Sequence, residues 1–322
     1  MLLRPEADDF RIIGVQLGRI SLVTALAGTV PLVWALIARE WAPATSFLLM
    51  VGVFATLGTA SRFIEIQHLH LEWSHGMVVV ALTWLLVPAV GALPLMLSGH
   101  YGQPFDAYFD AMSGLSTTGL ALIQDLDHLA PSLNFWRHLL HFLGGQGIII
   151  AALTLFTGSG GTTLYYGEGR EERILPNVRS TARFIWKVAA YHFVIGVAAL
   201  ASVAFFLLGF GAWRSLFHAV TVFFAGFDTG GFSPMSTSIG YYHSAVFEGV
   251  TAVLMVAGAM SFGLHFALWR GPRLAVFKNL ETRTILGTVA FTMFLTMIGL
   301  AAGGLYSNAA GLGRQGLSLI HI

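Results

Sequence analysis

Apolar residues crowd into long blocks along this chain, and polar residues are confined to the gaps between them. The blocks fall at about Ile12 to Ile37, Ala44 to Ala60, Met77 to Leu97, Phe135 to Phe156, Trp186 to Phe210, Tyr242 to Trp269 and Thr284 to Leu305. Most reach or approach the roughly 20 residues that a helix needs to cross a bilayer. The pattern predicts an all-α, polytopic membrane protein with about seven spans. Pro31 and Pro88 lie inside the first and third blocks, which membrane helices tolerate because neighbouring groups re-satisfy the freed carbonyl.

Two further apolar pieces are too short to cross. Pro104 to Leu115 is followed by Ser116-Thr117-Thr118-Gly119, and Ala212 to Phe227 by Asp228-Thr229-Gly230-Gly231-Phe232-Ser233. Each reads as a half-helix that enters the membrane and turns back through a loop of small residues, and each is flanked by full spans. Helix, half-helix, loop, helix is thus written twice, and self-similarity at this level outweighs any single motif. The expected organisation is two N-terminal membrane helices with a connector (1–75), a first membrane-pore-membrane repeat (76–165), a second (166–280), and the opening span of an incomplete third with an atypical tail (281–322).

Composition agrees with the pattern. Hydrophobic residues make up 56% of the chain and charged residues 10%, and the mean hydropathy is +0.73, far from soluble-domain usage. A net charge of +1 supports no nucleic-acid reading. The absence of cysteine excludes disulfides, thiolate metal sites and thiol catalysis. The N-terminal MLLRPEADDFRII carries acids and lacks a small-residue cleavage pattern, against a removable signal peptide. Lys and Arg cluster in alternate gaps: Arg4, Arg11, Arg19, Arg62, Arg170, Arg173, Arg179, Arg183, Lys187, Arg270, Arg273, Lys278 and Arg283 on one side, and Arg39, Arg137, Arg214 and Arg314 on the other. The positive-inside rule then puts the N-terminus in the cytoplasm and both half-helices on the outer face. Asp106, Asp110, Asp125 and Asp127 lie in an outer stretch, Ser98 to Trp136, that holds no Lys or Arg. Asp106, Asp110 and Asp125 are expected to line a cation-concentrating vestibule, although helix capping and ordinary solvation account for single aspartates equally well.

Small residues and a permissive glycine at 116–119 allow extended backbone at membrane depth, where it persists only buried in protein or lining a watery path. Rows of carbonyls in such a place can replace the hydration shell of a monovalent cation. Asp110-Ala111-x-Ser113-Gly114-Leu115-Ser116-Thr117-Thr118-Gly119, followed by Trp136-Arg137 and Gly144-Gly145-x-Gly147-Ile148-Ile149, resembles the first pore repeat of the TrkH/KtrB superfamily of K⁺ transporters. The resemblance implies K⁺ uptake across a bacterial cytoplasmic (inner) membrane, no cofactor, and a selectivity filter that includes Ser116, Thr117, Thr118 and Gly119. In that family, serine at the first filter glycine goes with Na⁺ permeation; glycine here implies K⁺ preference. The second filter commonly reads Asn-Thr-Ala-Gly-Phe-Ser in the family, which Asp228, Thr229, Gly230 and Gly231 with Phe232 and Ser233 resemble. Counted without gaps from His218, however, the filter glycine falls at Phe227. Either the second half-helix has an extra turn, the preferred reading, or Ala225-Gly226-Phe227 is the filter. Family members have four such repeats, so the chain is expected to be a fragment lacking the third and fourth. The resemblance also implies a homodimer in membrane lipid and a cytosolic nucleotide-binding regulatory subunit (TrkA/KtrA-like) meeting Arg170, Arg173 and Arg179.

Small residues from Ala257 to Gly263, and Gly144, Gly145 and Gly147, fit close helix packing as well as pore lining. The histidines, among them His68, His70, His138, His141, His218, His243 and His265, lack the acidic or cysteine companions of a zinc site. Two rival functions are weighed. A carrier with broken helices for another substrate is disfavoured by the lack of basic residues near Gly119, and an intramembrane enzyme by the lack of a catalytic constellation.

Overall fold

The computed structural model describes residues 6–64, 72–147, 178–271 and 278–302. Among these residues there are helices and no strands. Five helices are long and apolar enough to cross a membrane, or six if one sharply bent pair counts as a single span. By contact the chain divides into two compact units, Met1–Trp186 and Lys187–Ile322.

The first unit begins with α1 (Ala7–Ile37) and α2 (Trp41–Ala60), an antiparallel pair joined by a tight turn. At 31 residues α1 is about 46 Å long, more than the hydrocarbon thickness. It starts where Asp9 folds back to accept from the Glu6 amide at 2.7 Å. The pair packs closely because each helix turns a glycine toward the neighbouring segment: a Cβ on Gly18 would sit 1.9 Å from Ser61 Oγ, and one on Gly58 2.4 Å from Leu22 Cγ. Outward, Leu26, Val30, Val33, Leu48 and Leu49 are exposed, the expected surface of a protein whose solvent is lipid. Polar side chains inside the helices satisfy themselves locally: Ser21 donates to the Leu17 carbonyl at 2.9 Å, Thr24 to Ile20 at 3.0 Å and Thr83 to Val79 at 2.7 Å. Helix α3 (Trp73–Gly91) continues through the short α4 (Leu93–Met96), then come the half-helix α5 (Pro104–Leu115) and α6 (Pro131–Gln146). The span expected at Phe135 to Phe156 thus starts earlier, with Pro131 in the first turn. Helix α6 stops at Gln146, where Gly147 takes φ +85°; the rest of the expected span, beyond residue 147, lies outside the described residues.

Helix α7 (Val178–Ser202) carries the division between units and runs into a π-turn at Val203–Leu207. The second unit continues with the half-helix α8 (Ala212–Phe227), α9 (Ala245–Ala259), α10 (Phe262–Arg270) and α11 (Leu280–Ala302). Here the sequence expectation needs correction. The block from Tyr242 to Trp269 is not one straight span: α9 and α10 meet at 99°. Ser261 makes the break by capping α10, accepting at Oγ from the Leu264 amide at 3.3 Å. Glu281, on α11, holds it there, accepting from the Ser261 amide at 2.6 Å and the Ser261 hydroxyl at 2.9 Å.

Candidate functional site

Both half-helices end in the same way. At the end of α5, the amides of Ser116, Thr117 and Thr118 donate to the carbonyls of Met112, Gly114 and Ser113 at 2.8, 3.1 and 2.9 Å. At the end of α8, the amides of Asp228, Thr229 and Gly230 donate to Phe224, Gly226 and Ala225 at 3.2, 3.2 and 2.9 Å. This is the bonding of a Schellman stop, whose left-handed residue is usually glycine. In this chain that residue is threonine twice, Thr117 at φ +54° and Thr229 at φ +52°, followed two residues later by Gly119 at +82° and Gly231 at +81°. A β-branched residue at positive φ is an outlier that costs on the order of 1–3 kcal/mol, and such strain gathers where ligands are clamped. Ser116, Thr117, Thr118 and Gly119 therefore correspond in backbone to Asp228, Thr229, Gly230 and Gly231, one for one. Ala225, Gly226 and Phe227 form the last turn of α8, which at 16 residues is one turn longer than the 12 of α5. At Gly231 a Cβ would meet nothing within 4 Å, so within the chain the dihedral, not space, is what calls for glycine.

The surroundings of the first loop depart from expectation at one point. Asp110, expected in an acidic vestibule, is fully buried and ion-paired with equally buried Arg137. Arg137 Nε donates to Asp110 Oδ2 at 2.6 Å and its Nη2 to Oδ1 at 3.2 Å. The hydroxyl of Tyr101 adds a third bond to Oδ2 at 2.9 Å; burial raises the pKa of that hydroxyl, keeping it a donor. The physical reason is depth along the helix. Phase does not separate the two aspartates, since Asp110 lies one turn beyond Asp106 on the same side of α5; depth does, because Asp106 stands in the exposed first turn while Asp110 is reached by Arg137 of α6, and a carboxylate buried there needs a cation with a matched fork. Asp106 instead accepts from the Gln103 amide at 2.9 Å, closing the start of α5. Asp125 is exposed and bonded to His128, both carboxylate oxygens lying 3.0 Å from Nδ1. That bond raises the His128 pKa above its ordinary value and lowers that of Asp125. Below the raised value His128 is a cation and cancels one negative charge of this loop.

Sequence reasoning passed over Tyr101 and used Trp136 only as part of the resemblance, without a role; Trp136 Nε1 donates to the Gly91 carbonyl at 2.8 Å and so ties α6 to α3. Spacing gives no signal for either: Tyr101 lies in the loop before α5, off the helical repeat of Asp110, and the Gly91 carbonyl is 45 residues from Trp136. Arg170 and Arg173, expected at a regulatory surface, lie outside the described residues, as does the side chain of Arg179. No cluster of metal-ligating side chains occurs among the described residues. His138 bonds its Nδ1 to the Asn134 carbonyl at 2.8 Å and stacks edge-on against His141.

Residues 45–309 match the TrkH family, described as a cation transport protein. The "Trk system potassium uptake protein TrkH" of Halomonas elongata is 31% identical over 288 residues, covering 86% of this chain and 58% of that protein. The protein of the same name in Escherichia coli K12 is 32% identical over 231 residues, covering 69% and 46%. The crystal structure of the potassium transporter TrkH from Vibrio parahaemolyticus superposes with a TM-score of 0.76 at 28% identity, covering 96% of this chain and 63% of that one. The chain thus spans between about half and three-fifths of the length of these relatives. With its all-α build, its membrane-length helices and its match over most of its length, the chain is a multi-pass membrane protein that belongs to the TrkH family of cation transport proteins.

Proposed function

We propose that this chain supplies two of the filter strands of a K⁺-uptake pore, Ser116–Gly119 and Asp228–Gly231, with backbone carbonyls as the ion ligands. One observation carries the reading: two loops of different sequence stop their half-helices with the same strained threonine and the same positive-φ glycine. Nothing in packing requires that repetition, whereas an ion coordinated by repeated strands does. The names of the relatives support K⁺ as the ion. The strands beyond these two come from further repeats of the longer protein or from a second copy in a homodimer. A cytosolic nucleotide-binding subunit regulates the pore from the face that holds Arg170, Arg173 and Arg179. The carrier reading, which needs an open half-helix N-terminus for an anionic substrate, is disfavoured: the Glu281 carboxylate already occupies the start of α10.

The test is transport. Expressed from its native gene in cells lacking K⁺ uptake, the protein restores growth at low K⁺ and takes up K⁺ faster than Na⁺. Normal membrane levels without K⁺ flux refute the reading. The kinship with bacterial K⁺ uptake proteins supports the bacterial inner membrane, and the Lys and Arg distribution a cytoplasmic N-terminus. In this cysteine-free chain, Asp127→Cys is then labelled by an impermeant thiol reagent added outside, and Lys278→Cys only after permeabilisation. Both positions are exposed, so the reverse pattern inverts the topology.

A further inference from the structure

We infer that Gly144 and Gly258 are positioning residues that set where each filter loop begins, a role that rests on the filter reading above. Each lies in the helix that follows its loop, Gly144 in α6 and Gly258 in α9. A Cβ built on Gly144 would stand 1.6 Å from the carbonyl oxygen of Leu115 and 2.7 Å from its carbon. One on Gly258 would stand 1.7 Å from the carbonyl oxygen of Phe227 and 2.6 Å from its carbon. Leu115 and Phe227 are the last residues of the two half-helices, and the next residues in the chain are Ser116 and Asp228. The same contact therefore occurs in both repeats, in each case between a following-helix glycine and the residue that leads into the loop.

Helix packing alone accounts for this poorly. Glycine is a worse helix former than alanine, and on the same helix α9 a Cβ at Gly249 would meet nothing within 4 Å. What Gly144 and Gly258 touch is main chain, which cannot swing aside as a side-chain tip does. Restoring an ordinary carbon–oxygen separation of about 3.3 Å moves the half-helix end by roughly 1.6 Å. Because Ser116 and Asp228 are covalently next, that movement passes into the loops. A carbonyl ring that tells K⁺ from Na⁺ by the field of its oxygens does not absorb such a shift unchanged.

The test uses the transporter expressed from its native gene, purified and reconstituted in liposomes, with K⁺ and Na⁺ fluxes measured for Gly144→Ala, Gly258→Ala and the control Gly249→Ala. The expected result is normal accumulation of all three, a K⁺-to-Na⁺ flux ratio about tenfold lower in the first two, and a wild-type ratio in the control. A loss of stability alone moves the amount of protein, not this ratio. Wild-type ratios in both Gly144→Ala and Gly258→Ala overturn the inference. Failure of both variants to accumulate overturns it too, because the contact is then a requirement of folding. Gly119→Ser separates the two levels. If it changes the ratio while Gly144→Ala and Gly258→Ala do not, the filter reading stands and this inference falls; if it leaves the ratio unchanged, both fall.

Discussion

Gly119→Ser is expected to lower the K⁺-over-Na⁺ flux ratio by about tenfold or more, since some 1.4 kcal/mol of differential binding suffices. Gly119 sits at φ +82°, a conformation that serine reaches only at a cost. The preceding residues cannot relieve it, because Thr117 already occupies the left-handed region and the Thr118 amide is committed to the Ser113 carbonyl at 2.9 Å. The backbone at 119 therefore has to turn, and the peptide carbonyl turns with it. Growth at low K⁺ in the presence of Na⁺, together with measured fluxes at equal membrane levels, reads the effect. Wild-type selectivity in Gly119→Ser means that residue 119 does not contact the ion path.

Arg137→Met is expected to have the largest effect on stability, about 3–5 kcal/mol, because it leaves the Asp110 carboxylate buried without its cation. Asp110 and Arg137 are 0% and 1% exposed, so water cannot take the place of the lost partner. The double variant Asp110→Leu with Arg137→Met removes both charges and should recover much of the loss, since a buried pair replaced by apolar groups is often close to neutral. Thermal unfolding of the detergent-purified protein, beside membrane accumulation, measures both. An unchanged unfolding temperature in Arg137→Met shows that the pair is not what fixes α5 on α6.

How much of this was legible in the sequence depended on distance along the chain. The half-helices declare themselves by length: the 12-residue, largely apolar piece before Ser116 cannot span, and the small residues with a glycine after it favour a turn over a continued helix. The register of the second loop was open, because Ala225-Gly226-Phe227 and Thr229-Gly230-Gly231 are both plausible turns; only the dihedrals show which of them ends the helix. Asp110 could not be placed, since in an acid-rich stretch it resembles its neighbours Asp106 and Asp125. The difference lies in a partner 27 residues away. The break at Ser261 was hidden for the same reason. Hydropathy reads MVAGAMSFGLHF as continuous, while the carboxylate that fixes the bend comes from Glu281, 20 residues on. Ser261 itself, a capping residue inside an apolar run, was the available clue.

The Asp110–Arg137 pair also bears on how the protein is made. Helix α5 is synthesised before α6, and at 12 residues it is too short to lodge across a bilayer by itself. Carried inward alone, it would bring a bare carboxylate into hydrocarbon, and α6 alone would bring a bare guanidinium; either is costly. Only as a pair do they enter without net charge. The pair therefore couples the two helices: neither α5 nor α6 can settle at membrane depth without the other, so the hairpin they form is the smallest piece of this unit that enters hydrocarbon without net charge.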